Sequence, residues 1–297
     1  MTSLKLDEVQ LKKIFIILLI FVVLVAAFSG CSAPQVSQKL KVGVTIYPFF
    51  DAVKSIGGDL VDVVLIVPVG SSPHDYTVTP NDIKNLQGAK VIFENGFGLE
   101  AFLTPILNSV NTEVVNVSEG LSDVVAKHDG NPHLWLNPQY FVLQSAVIKD
   151  TLCKLDPQNA TLYEKNYESY QNAILLKAEA LRKEVSQLEN RNLITFHDAF
   201  PYFAEYFGLN ILASVETDPN RLPTPKDILD IESLIKKYHI RVVFKEPQLS
   251  PDIYKSIVED TGVTVVSLDP LGGGTIKTYN DLIEYNVDTI IDGLSNG

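Results

Sequence analysis

The sequence predicts an α/β protein of two lobes, each a set of β/α units around a parallel sheet, joined by one long rigid α-helix. Two observations carry this. Short β-branched and apolar runs alternate with helical patterns through residues 39–297, the order expected of parallel β/α units. The stretch 157–190 is the longest without a helix breaker, and its Tyr163, Tyr167, Tyr170, Ile174, Leu181, Val185 and Leu188 recur at spacings of three, four or seven, one apolar face of a helix. A helix of roughly 33 residues reaches about 50 Å at ~1.5 Å per residue, longer than one small domain needs, so it is expected to join two. The expected domains are a first lobe over 39–155, a linking helix over 156–190 and a second lobe over 191–297.

Ahead of the lobes, residues 1–30 read as a lipoprotein signal peptide. Lys12 and Lys13 precede an apolar run over 14–28, and Phe28-Ser29-Gly30-Cys31 places small residues at a cleavage site. Cys31 then becomes the acylated first residue and 31–38 a tether. An uncleaved anchor is the alternative, since 14–33 approaches the ~20 residues that span a bilayer. Either arrangement puts the body outside the cytoplasm, anchored to the membrane. Without residues 1–30 the chain keeps 21 basic and 34 acidic residues, a net −13. Such a surface repels phosphate backbones, so nucleic acid is not an expected partner and cations are. With Cys31 acylated, Cys153 stands alone, which leaves no intramolecular disulfide and suggests packing within a helix.

In the first lobe, 41–46 and 61–67 read as strands around a helix over 49–56 that stops at Gly57-Gly58. The second strand runs into a loop holding His74 and closed by Thr79-Pro80, an N-cap followed by proline in the first helical turn. His74 thus follows a strand, where open α/β sheets place their ligands. Strands at 91–94 and 114–117 bracket a helix around 99–110. A polar loop then reaches NPHLWLNP, in which His133 lies between Pro132 and Pro138 beside the only tryptophan.

In the second lobe the strand 193–196 ends on His197, and Asp198 is placed to cap a helix beginning at Ala199. Further strands at 211–215, 241–244 and 263–268 alternate with helices ending near Lys237 and covering 251–260. The last strand delivers Asp269 before Pro270 and three glycines, either a rigid exposed carboxylate or a turn former.

His74 and His133 before the linking helix, with His197 and Asp269 after it, form the candidate site. A single histidine is ordinarily a hydrogen-bonded core residue, but histidines in Pro- and Gly-punctuated loops at strand ends favour a ligand role. Imidazole nitrogens and a carboxylate suit first-row divalent metals, and three His with one Asp is a tetrahedral set that zinc accepts. Four protein ligands close the shell, which argues for holding a metal rather than using it. There is no HExxH helix, no nucleophile elbow and no phosphate loop, so no enzyme is expected. An exported zinc hydrolase would need an open coordination position and a base such as Glu246; a surface adhesin would need an empty metal site.

The segments PHDYTVTPNDIKNL, PHLWLNP, FHDAFPYFAEYFGL and LDPLGG, in this order around a central helix, make residues 39–297 resemble the solute-binding lipoproteins of zinc and manganese ABC importers. The resemblance implies that His74, His133, His197 and Asp269 are the ligands of a transported ion. It implies Zn2+, with Mn2+ or Fe2+ as alternatives, and delivery by a monomer to an ABC permease and its cytoplasmic ATPase. Asn137 stands where this family often has Asp, and His197 where many manganese members have Glu, which favours zinc. The loop between Ser118 and Asn131 holds only His128, where many zinc members carry a histidine-rich stretch; His128 is expected to be solvated, and His239 to complement a helix dipole beside Lys236 and Lys237. Ordinary histidine protonation would make metal affinity fall steeply as pH drops towards about 5.

Overall fold

A computed structural model describes residues 7–10, 12–17, 39–107, 109–216, 224–247 and 251–296. The chain divides after Gln38. In the first part residues 8–10 and 12–17 are helical, while Cys31, the tether and most of the signal segment lie outside the described residues. Among the described residues no helix is long and apolar enough to cross a membrane.

From Lys39 onward the first lobe contains β1 (Leu40–Val44), α1 (Tyr47–Gly57), β2 (Val61–Leu65), α2 (Pro80–Leu86), β3 (Val91–Glu94), α3 (Thr104–Leu107), β4 (Glu113–Asn116) and α4 (Ser122–Lys127). Two helices follow, α5 (Pro138–Leu155) and α6 (Ala160–Val185). The second lobe contains β5 (Asn192–His197), α7 (Pro201–Phe207), β6 (Asn210–Glu216), α8 (Pro225–Tyr238), β7 (Val242–Lys245), α9 (Pro251–Thr261), β8 (Thr264–Ser267) and α10 (Tyr279–Asn296). The sheets run β2-β1-β3-β4 and β6-β5-β7-β8, every pair parallel, so both lobes follow one plan. Val, Ile, Leu and Phe recur through these strands with few charges between them, as expected of parallel sheets flanked by helices.

The start of α2 is set as its sequence suggests. Thr79 and Asp82 form a reciprocal capping box, with Asp82 Oδ2 accepting from Thr79 N–H at 2.7 Å, and Pro80 opens the helix. Thr224, Asp227 and Pro225 repeat the device at α8. Around 99–110 the expected helix is only a 3-10 turn, Ala101–Leu103, followed by the single turn α3. The linking helix α6 has 26 residues, shorter than the stretch 157–190. Pro157–Asn159 forms a separate 3-10 turn ahead of it, and Ser186 Oγ turns back to the Lys183 carbonyl at its end.

Helix α6 touches both lobes. Asn166 donates to the Ile56 carbonyl at 2.9 Å, and Tyr170 to Asp51 Oδ2 at 2.6 Å, both on α1. Further along, Lys177 pairs with Glu284 on α10. Asp51 also accepts the Tyr279 N–H at 2.9 Å, so one carboxylate, only 8% exposed, joins α1, α6 and the start of α10. Burial raises its pKa, and its hydrogen-bond donors act against that rise. One hydrophobic core runs through this seam, including Phe49, Trp135, Phe203 and Phe244, with Phe141 stacked on Tyr279 at 3.7 Å between ring centres.

The seam is tight at Gly273, whose φ of +94° already disfavours a side chain. A Cβ there would stand 2.5 Å from Val69 Cγ2, on the loop that carries His74. Gly273→Ala is therefore expected to destabilise the fold by about 1–3 kcal/mol, read as a lowered melting temperature. An unchanged melt would show that the two loops move apart freely.

Candidate metal centre

Each histidine reaches the centre from a different local structure. His74 sits in the loop after β2, its N–H donating to Ser72 Oγ at 3.2 Å. His133 precedes the 3-10 turn Leu134–Leu136, which Asn137 and Pro138 convert into α5; the Asn137 side chain accepts from Gln139 N–H as its N-cap. His197 is the last residue of β5, the second strand of its sheet order. Strand ends of the two sheets thus meet on one side, as open α/β sheets present ligand sites.

The three rings pack together, with centres 5.0–5.2 Å apart. His133 Nε2 lies 3.2 Å from His74 Nε2 and 3.3 Å from His197 Nε2. One potential ligand atom from each lies within 4.8 Å of the others, the one such group among the described residues. His133 is 4% and His197 8% exposed, while His74 is half-buried.

Burial first, and then the neighbouring His197 and His74, hold the His133 pKa well below the ordinary histidine value. Burial and then His74 lower that of His197 to about 4. Both rings are therefore neutral at pH 7, with lone pairs available. For His197 the proton competition moves below the window near pH 5 expected from the sequence.

Asp269 lies outside the histidine group. Its Oδ1 accepts from the Leu271 and Gly272 N–H groups at 2.9 and 2.8 Å, and its backbone exchanges two hydrogen bonds with Asn286. The carboxylate thus shapes the turn after β8, and Oδ1 is committed to that turn.

Two other residues, Asp198 and His128, differ from their sequence reading. Asp198 does not cap α7, which begins after Phe200 with no side-chain cap; it accepts from Ser214 Oγ at 2.9 Å and from Asn131 Nδ2 at 3.2 Å. His128 is not a bare loop residue: it ends α4, approaches Glu205 Oε2 at 3.2 Å and packs on Tyr202. His239 closes α8 in a left-handed conformation after Lys236 and Lys237. Cys153 lies in α5 with its Sγ 3.7 Å from the Ala160 carbonyl. Glu246 is not in the histidine group.

Sequence reasoning missed the polar scaffold behind His133. Asn95 donates to the Pro132 carbonyl at 2.8 Å, and the loop holding Asn95 is gripped by Glu100, which accepts from the N–H groups of Asn95 and Gly96 and from Thr45 Oγ1. Burial raises the Glu100 pKa to about 7, against those donors. Because this folded value exceeds the unfolded 4.5, its contribution is fully present below pH 4.5 and is lost as pH rises through 7. His197 has the opposite sign: its contribution is present above pH 6.5 and is lost as pH falls through about 4. The two slopes oppose one another between pH 4.5 and 6.5. In Glu100→Gln the carboxylate slope disappears, so stability relative to the wild type should improve by about 3 kcal/mol between pH 4.5 and 8. Melting curves across that range check this, and parallel curves for the two proteins would contradict it.

Two lobes of like topology sharing one core, with three imidazoles gathered together and those of His133 and His197 held neutral, define a solute-binding receptor whose centre suits a metal cation. The chain belongs to the family described as zinc-uptake complex component A, periplasmic, whose model matches residues 42–293. It is 30% identical to the manganese-binding lipoprotein MntA of Halalkalibacterium halodurans over 93% of this chain and 97% of that one. It is 29% identical to the manganese ABC transporter substrate-binding lipoprotein PsaA of Streptococcus mitis over 96% and 99%. A crystal structure of ZnuA superposes with a TM-score of 0.78 at 25% identity, covering 86% of this chain and all of the other. The family consists of transport receptors, not enzymes, which removes the exported hydrolase from consideration.

Proposed function

We propose that this protein is the extracytoplasmic receptor of an ABC importer that captures Zn2+ between its lobes and delivers it to a membrane permease driven by a cytoplasmic ATPase. It works as a monomer, held at the membrane through lipid on Cys31. His74, His133 and His197 bind the ion through Nε2, and Asp269 supplies the fourth ligand through Oδ2, the oxygen its turn leaves over.

The observation that carries this reading is the spacing of 3.2 and 3.3 Å around His133 Nε2. A tetrahedral zinc with Zn–N bonds of ~2.0–2.1 Å has ligand atoms about 3.3–3.4 Å apart. Nitrogen-rich coordination by neutral imidazoles also favours zinc over manganese. The manganese reading is supported by the names of MntA and PsaA and remains the alternative. The bonds of Asp51 to α6 and α10 support small adjustments of the lobes on binding rather than a wide hinge closure.

Competition titration of the metal-stripped protein with Zn2+ and Mn2+ tests the proposal. One tight Zn2+ per chain, with weaker Mn2+, is the expected result. Mn2+ that withstands equimolar Zn2+ would move the assignment to manganese, and failure to bind either ion would sink the receptor reading.

A further inference from the structure

Asn131 touches both histidine-bearing segments that are buried in the centre, and its contacts leave little freedom. Its Nδ2 donates to the Asp198 carbonyl at 2.6 Å and lies 3.2 Å from Asp198 Oδ2. Both are acceptors, so the amide end must face Asp198. The other end, Oδ1, accepts the His133 N–H at 3.0 Å and lies 2.9 Å from His133 Nδ1. An amide oxygen only accepts, so Nδ1 carries the ring proton. A neutral imidazole has one such proton, which leaves a lone pair on Nε2, the atom that faces His74 and His197. The backbone of Asn131 is pinned as well, its carbonyl accepting from Tyr202 OH at 2.7 Å.

We propose that Asn131 is the positioning residue of the centre: it holds His133 in the Nδ1–H tautomer and clasps the His133 turn to the strand end carrying His197. Its consequence for binding rests on the metal-receptor reading, whereas the tautomer and the clasp do not. Histidine ligands are commonly oriented through the ring nitrogen away from the metal. Here a single amide performs that task with one end and joins the lobes with the other. The Asp198 end is itself braced, since Asp198 Oδ1 accepts from Ser214 Oγ, which lies 3.0 Å from Thr195 Oγ1 on β5.

Two substitutions separate the roles. Asn131→Leu removes both. Asn131→Asp keeps an acceptor toward His133 but turns a carboxylate oxygen against the oxygens of Asp198, so it breaks the clasp alone. Proton–nitrogen correlation spectra of the full metal-free protein, labelled with nitrogen-15, report the tautomer of each histidine. The wild type is expected to show His133 only as Nδ1–H, Asn131→Leu a mixture, and Asn131→Asp the wild-type form with a lowered melting temperature. Zn2+ should then bind Asn131→Leu about 10–100-fold more weakly than the wild type, with Asn131→Asp between them. An unchanged tautomer in Asn131→Leu would overturn the proposal, as would equal loss of affinity in both variants. A wild type with the expected tautomer that binds neither Zn2+ nor Mn2+ would sink the receptor reading while upholding the role of Asn131 in fixing the ring.

Discussion

Replacing His133 with alanine should lower Zn2+ affinity by about a thousandfold or more, the largest effect expected of any single change at the centre. Its Nε2 is the atom from which both other imidazoles are measured at 3.2 and 3.3 Å, so its loss separates the remaining donors from a common vertex. It is also buried, at 4% exposure, so water has poor access to replace it. A thousandfold corresponds to about 4 kcal/mol, a reasonable share of a structural zinc affinity of ~10–16 kcal/mol divided among four ligands. His74 is half-buried, and water can stand in for its ring more readily. His74→Ala should therefore cost only about 10–100-fold if a solvent ligand takes the position. Chelator competition on the two variants measures the difference. Equal losses would mean that access of water does not set the ranking, and a His133→Ala protein within tenfold of the wild type would remove His133 from the centre.

The sequence made the repeating strands legible because each is a local run of β-branched residues, and Thr79-Pro80 announced α2 through chemistry contained in four residues. The three histidines were legible for a similar reason, each standing at the end of such a run or in a loop punctuated by proline and glycine. What was missed depends on partners distant in the chain. Asp198 looked like a helix cap because its neighbours in sequence begin a helix, yet Asn131, 67 residues away, engages it instead. Glu100 looked like part of a longer helix, but it is buried against Asn95, Gly96 and Thr45. The linking helix was identified by its period and overestimated in length, because the apolar spacing continues to Leu188 through a last, tighter turn in which Gln187 and Leu188 N–H bond three residues back, after the α-helix ends at Val185. Asp269 shows the limit most clearly: its position after a strand was readable, but its commitment to the Leu271 and Gly272 N–H groups was not.

Trp135 offers the second large effect, this time on stability. Its ring is completely buried, and Nε1 donates to the Pro270 carbonyl at 2.7 Å, one residue beyond Asp269. Its own carbonyl accepts from Tyr279 OH at 2.7 Å, and its ring centre is 5.1 Å from that of His133. The indole therefore fills the seam and ties the turn carrying His133 to the loop carrying Asp269. Trp135→Ala should lose about 3–5 kcal/mol, as expected when a large aromatic leaves a cavity in a close-packed core. Trp135→Phe isolates the hydrogen bond: it retains much of the volume but leaves the buried Pro270 carbonyl without its donor, for about 1–3 kcal/mol. Denaturant unfolding of the metal-free proteins measures both losses, and metal titration follows their effect on the centre. If the tie matters to the ion, Trp135→Phe should weaken Zn2+ binding as well as stability, because the Asp269 loop is no longer held against the His133 turn. A phenylalanine variant that is less stable but binds Zn2+ as tightly as the wild type would confine Trp135 to the core and leave the placement of Asp269 to Asn286 and its own turn.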